Sequence, residues 1–163
     1  VSRPPTPPGP GHESVWDYPR PPRVEESSRY ILVRLDDLIL AETRRVKRVL
    51  ETSLAPSFYI PRQDVAMEYL ISSDLHTICE WKGRASYFEL RSEGIFVRKA
   101  AWTYENPTPG VIEIRGHIAF NPNRLECFLD GERVQAQVGG FYGGWISPDL
   151  IGPFKGDPGT RFW

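Results

Sequence analysis

The stretch Ala85-Ser86-Tyr87-Phe88-Glu89-Leu90 runs into Ser92-Glu93-Gly94 and out again as Ile95-Phe96-Val97-Arg98-Lys99-Ala100-Ala101-Trp102-Thr103-Tyr104. Two runs rich in aromatic and β-branched residues, separated by a short polar triplet ending in glycine, predict a long antiparallel hairpin. Side chains alternate across a strand. On the second arm Phe96, Arg98, Ala100, Trp102 and Tyr104 therefore share one face, opposite Val97, Lys99 and Thr103. The arginine among the rings means that this face is not uniformly buried.

Outward from this hairpin the pattern stays β. Upstream, His76–Trp81 reads as a strand broken by Lys82-Gly83, and Ser57–Ile60 is a short strand bracketed by Pro56 and Pro61. Tyr30–Leu35 and Leu38–Leu40 flank Asp36-Asp37 as a second hairpin. The stretch Asp64–Ile71 fits either a helical turn or a strand. Downstream, Asn106–Gly110 is a loop and His117–Phe120 a short strand. Glu126–Leu129 and Glu132–Val138 surround Asp130-Gly131, a pair suited to the positive φ angles of a tight hairpin turn. The one helical window is Thr43–Thr52, where Val46, Val49 and Leu50 recur at three and four and basic residues fill the other face. Eight or nine strands and one short helix predict a mainly β, compact, two-sheet antiparallel fold.

The ends differ from this body. Eight of 16 prolines fall in the first 22 residues, which excludes helix and central strand there. Residues 1–23 are expected to form an ordered Pro-rich arm pinned by Trp16 and Tyr18, and residues 24–138 the core domain. Residues 139–163 carry Gly139-Gly140-Phe141-Tyr142-Gly143-Gly144-Trp145. Rings among glycines predict a strap that packs aromatics onto the β body.

Composition narrows the function classes. The 163 residues carry a net charge of −1, with 25% charged and 40% apolar residues. That balance excludes a basic nucleic-acid-coating protein and a disordered chain. No apolar run reaches membrane-span length and no signal-peptide pattern opens the chain. The expected compartment is therefore the cytoplasm, or the plastid for a plant chain. Two cysteines make no disulfide scaffold. Cys79 and Cys127 stand singly and His12, His76 and His117 are scattered, so no metal site is expected. Phosphate-loop, dinucleotide and nucleophile-elbow motifs are missing, and no cofactor is expected. Gly156-Asp157-Pro158-Gly159-Thr160-Arg161 has the look of a phosphate loop, but it lies at the end of a β chain rather than after a first strand.

Between Tyr59 and Tyr104 chemistry accumulates. Aromatic walls with one or two polar groups make small-ligand pockets, and a lysine beside rings suits an anion. The candidate ligand-binding residues are Lys82, Tyr87, Trp102 and Tyr104, with Tyr59, Asp64 and His76. Each has a plainer role open to it: the rings as inter-sheet core, Lys82-Gly83 as a turn, Asp64 as a cap. Cys79 and His76 stand three apart on one strand, hence on opposite faces.

The segments VWDYPRPPRVE, RRVKRVLET, FYIPRQDV, SSDLHTICEWKGRASYFEL, AAWTYENP, IAFNP and LDGERV, in this order, resemble domain of unknown function family 427 over about residues 14–135. The tail FYGGWISPDLIGPFKGDPGT resembles the longer cyanobacterial and plant form. The resemblance implies a β-tent type of fold, an architecture shared with methionine sulfoxide reductase B and several zinc-binding domains. Their paired Cys-x-x-Cys ligands are missing here, so the resemblance implies no activity. A nucleotidyltransferase-like label sometimes attached to the family finds no supporting motif.

Three readings follow. The first is a non-catalytic β domain that binds a small anionic molecule, with neither nucleic acid nor membrane as partner. The second is an enzyme of unknown reaction, with His76 or Asp64 as general base beside Lys82 or Tyr87. The third is a structural or oligomeric scaffold, a homodimer joined through the arm or the strap.

Overall fold

The computed structural model describes residues 11–138, 142–156, 159–160 and 162–163. The first ten residues of the expected arm, Phe141 of the strap, and Asp157, Pro158 and Arg161 of the loop-like hexapeptide lie outside the described residues.

The chain is mainly β. It enters through β1 (Glu13–Ser14), then β2 (Arg23–Ser27), β3 (Ile31–Leu35), β4 (Leu38–Thr43), β5 (Val46–Leu50) and β6 (Ser57–Tyr59). The central hairpin follows as β7 (Leu70–Cys79), β8 (Gly83–Ser92) and β9 (Ile95–Thr103). Short strands complete it: β10 (Ala119–Phe120), β11 (Glu126–Leu129), β12 (Glu132–Arg133), β13 (Gln135–Ala136), β14 (Trp145–Ile146) and β15 (Leu150–Ile151). Two four-stranded sheets, β10-β9-β8-β7 and β12-β11-β3-β4, and the three-stranded sheet β2-β5-β6 make the body. All their pairings are antiparallel. Ile31, Val33, Phe88, Leu90, Ala101 and Phe120 belong to the core that the sheets enclose.

The window expected as helix is a strand. Val46–Leu50 is β5, central in its sheet, between β2 and β6. Val46, Val49 and Leu50 are buried as expected, but Lys47 and Arg48 face acidic partners across the strand pair, while Arg44 and Arg45 stay exposed. Lys47 lies opposite Glu26 and Arg48 opposite Glu25, with ion-pair contacts of 3.8 and 2.7 Å. A spacing of three and four over five residues does not separate helix from strand, and cross-strand charge pairs decide for the sheet. The helical segments of the described residues are short 3-10 turns, the longest being Pro109–Ile114. Asp64–Ile71 opens on the last residue of one such turn (Arg62–Asp64), contains a second (Met67–Tyr69) and runs into β7 at Leu70. No helix of the described residues is long and apolar enough to cross a membrane.

The described parts of arm and strap pack against each other. β1 pairs in parallel with β15, Trp16 Nε1 donates to the Pro153 carbonyl at 2.8 Å, and the Trp16 and Trp163 rings meet at 5.3 Å. Tyr18 is buried and donates to Glu13 at 2.5 Å. The strap is seated by Trp145, almost wholly buried, whose Nε1 donates to the Phe120 carbonyl at 3.2 Å.

Candidate functional site

The tight end of the β7–β8 hairpin sets the first group. Cys79 and Gly83 are register partners, so Glu80, Trp81 and Lys82 form the connection. Gly83 has φ +105°, a conformation that costs glycine little and other residues much. The loop after β9 holds this turn in place: Thr108 N donates to the Lys82 carbonyl at 3.0 Å and Thr108 Oγ1 to the Trp81 carbonyl at 2.5 Å. The Lys82 side chain thereby reaches Cys79, with Nζ 3.6 Å from Sγ.

Rings surround the amine. Tyr59 and Tyr104 are buried and stand 6.2 Å apart by ring centroid, while Tyr87 and Trp102 lie 6.3 Å apart. Tyr87 and Trp102 are register partners on β8 and β9, brought opposite each other by a register shift between Phe88 and Leu90. Trp102 Nε1 donates to Tyr59 Oη at 3.3 Å, and the Tyr87 and Thr77 hydroxyls share a hydrogen bond of 2.9 Å. All these groups line one cleft of about 960 Å³, within the size range of small-ligand sites. The rings are at once core and wall, since Tyr59 and Tyr104 also anchor a buried cluster with Val49, Ile114 and Ala119.

Burial works against the Lys82 ammonium, but Tyr59, Cys79 and Glu51 outweigh it and hold its pKa above the ordinary lysine value. Burial, with the neighbouring Tyr59 and Cys79, pushes the Tyr104 phenol far above its usual range, so it stays protonated. None of the ion pairs among the described residues includes Lys82.

Five of the seven expected residues thus meet in one cleft: Lys82, Tyr87, Trp102, Tyr104 and Tyr59. Asp64 and His76 are elsewhere. Asp64 ends a 3-10 turn and binds Arg45 at 3.0 and 3.1 Å and Thr43 at 2.7 Å. Those hydrogen bonds, Arg45 first, hold its carboxyl below the usual range. His76 lies on β7, an edge strand, and contacts Ser86 at 3.3 Å. Its strand position points it away from the face that carries Cys79. Neither candidate general base therefore faces Lys82.

Sequence reasoning missed the other wall. Gln137, Tyr142, Gly143 and Lys155 line the cleft from the chain's last part, and Arg20 and Glu51 from the arm side. Gly143 lies so close to the Trp102 ring that a Cβ would penetrate it. Gly144 lies equally close to the Ala55 carbonyl. The glycine–aromatic run was legible as a strap, but nothing in it signalled which rings it would touch. Buried Gln137 carries no sequence signal at all. Among the described residues, no three His, Cys, Asp or Glu side chains gather as a metal-ligand set. The second cysteine, Cys127, is buried in β11, and burial pushes its thiol well above the ordinary value.

A family model described as a domain of unknown function, DUF427, matches residues 23–131. The match covers β2 through β11 and ends before the strap. Comparison with curated proteins gave no match.

Proposed function

The chain belongs to the DUF427 family, and from that premise we propose that its cleft binds a small anionic molecule without transforming it. The observation that carries this reading is the Lys82 amine. It is partly buried in the ring-lined cleft and has a thiol rather than a carboxylate as its hydrogen-bond partner. A desolvated ammonium with unused donors is an unfavourable arrangement on its own; an anionic group of a ligand would satisfy it. Tyr87, Trp102 and Tyr104 supply flat apolar surface around that point, and the Tyr59 and Tyr104 hydroxyls supply neutral donors.

Thermal unfolding of the full chain against a panel of small carboxylates and phosphates tests the reading. A binder present at a hundred times its Kd stabilises the fold by about 2.7 kcal/mol. Lys82→Met keeps the side-chain volume and removes the charge, and should lose that response. Identical responses of wild type and Lys82→Met to every binder would refute the assignment.

A further inference from the structure

We infer that Lys155 is a second anion-binding residue of the same cleft, so that the ligand class is a flat molecule with two separated anionic groups, of which an aromatic diacid is the simplest example. The inference rests on the anion reading of Lys82.

Lys155 belongs to the strap, beyond the family match, yet its backbone is fixed at both polar groups. Its N–H donates to the Ser53 carbonyl at 2.8 Å. Its carbonyl accepts from Gln137 Nε2. Gln137 is itself only 2% exposed and accepts from Ala55 N at 2.9 Å through its Oε1. One buried amide therefore ties the strap to the segment after β5, and a rigid element presents the lysine. The Lys155 amine lies over the Tyr142 ring, 5.5 Å from its centroid, a contact that leaves the ammonium's hydrogen-bond donors available. Like Lys82, it joins no ion pair among the described residues.

The charge balance of the walls points the same way. The cationic side chains are Arg20, Lys82, Lys99 and Lys155, and the carboxylates are Glu51 and Glu80. Glu51 is engaged with Arg20 at 3.7 Å. Two lysines on different elements, with Tyr87, Trp102, Tyr104 and Tyr142 lining the same space, suit a ligand whose ring lies against aromatic walls while each end meets an ammonium. A charge-assisted hydrogen bond at the second end should raise affinity about tenfold.

Titration calorimetry of the full chain with benzoate, phthalate, isophthalate and terephthalate tests this. The three diacids hold their carboxylates at different separations, so one of them should bind about tenfold more tightly than benzoate. Lys155→Gln should bring that diacid down to the affinity of benzoate and leave benzoate unchanged. Lys155→Arg should keep the preference. Unliganded thermal midpoints of both variants should match wild type, because Lys155 is anchored through its backbone. Diacids no tighter than benzoate, with both depending on Lys82, overturn the role of Lys155 and leave the reading of Lys82 standing. A diacid preference that survives Lys155→Gln overturns it as well. Failure of all four acids to bind overturns both.

Discussion

Two partly buried cations in this molecule are treated in opposite ways. Arg48, on β5, has a side chain only 12% exposed, and its guanidinium is held by two carboxylates. It meets Glu13 at 2.8 and 3.0 Å and Glu25 at 2.9 and 2.7 Å. Lys82 is also partly withdrawn from water, but its hydrogen-bond partner is a thiol, and Glu51 acts on it only from beyond ion-pair distance. A planar fork between two carboxylates is structural, because every donor direction in use is taken by the protein itself. An ammonium with no carboxylate in ion-pair contact keeps donors for something that arrives later. Burial alone does not mark a functional charge. What marks it is whether the fold has already supplied the partner.

The largest effect should come from the cation that the protein itself pairs. Arg48→Met leaves Glu13 and Glu25 without their shared counter-charge and unties β1 from the β2–β5 pair. It should cost about 2–3 kcal/mol, below the usual penalty for a broken buried pair because both carboxylates retain some contact with water. Chemical denaturation of wild type and variant measures it. A loss under about 0.5 kcal/mol would reduce this cluster to surface decoration and blur the contrast with Lys82.

Next in size is the close approach that seats the strap. Gly144→Ala puts a methyl group against the Ala55 carbonyl and Gln137 Oε1. Overpacking of this kind costs about 1–3 kcal/mol. It should also weaken any ligand that needs Lys155, because Gln137 links the two. Gly110→Ala, where a Cβ meets open space, is the control and should be close to neutral in thermal unfolding.

The Arg48 cluster has a pH signature of smaller size. Its hydrogen bonds to Arg48, reinforced by Tyr18, hold the Glu13 carboxyl below its ordinary value despite opposing burial. A depressed folded-state pKa contributes stability above the unfolded value of about 4.5, and that contribution is lost as pH falls through the lower folded value. In Arg48→Met the loss over this acid window should shrink. Denaturation midpoints measured from pH 6 down to pH 3 compare the two slopes, and parallel slopes would contradict the linkage.

How legible these two cations were follows from what each depends on. The β8–β9 hairpin, the Asp130-Gly131 turn and the cluster of Lys82 with Tyr87, Trp102 and Tyr104 rest on local alternation and neighbouring strands, which a sequence displays. β5 was misread because its apolar residues satisfy a helical spacing over one turn. The acidic partners that settle the matter, Glu13 on β1 and Glu25 and Glu26 on β2, lie more than twenty positions away. Asp64 and His76 fell in the right stretch of chain, but a 3-10 turn gives one to Arg45 and an edge strand turns the other aside. Gln137 and Lys155 depend on how the strap closes over Trp102, a long-range fit set by missing Cβ atoms rather than by any chemical motif.

The smallest effect on stability should come from Lys82 itself, and it makes the comparison sharpest. In the folded state burial disfavours the ammonium while Tyr59, Cys79 and Glu51 favour it. Lys82→Met removes both contributions and fills the same space with an apolar chain. Replacing a buried charge by an apolar side chain of similar volume is often neutral or stabilising, so unfolding free energy should change by less than about 1 kcal/mol. The anion response should vanish in the same variant. Arg48→Met should behave in the reverse sense, losing stability while its anion response persists at temperatures where it is folded. If Lys82→Met instead costs as much as Arg48→Met, the amine is a structural tie like the guanidinium, and the cleft loses its reason to hold an anion.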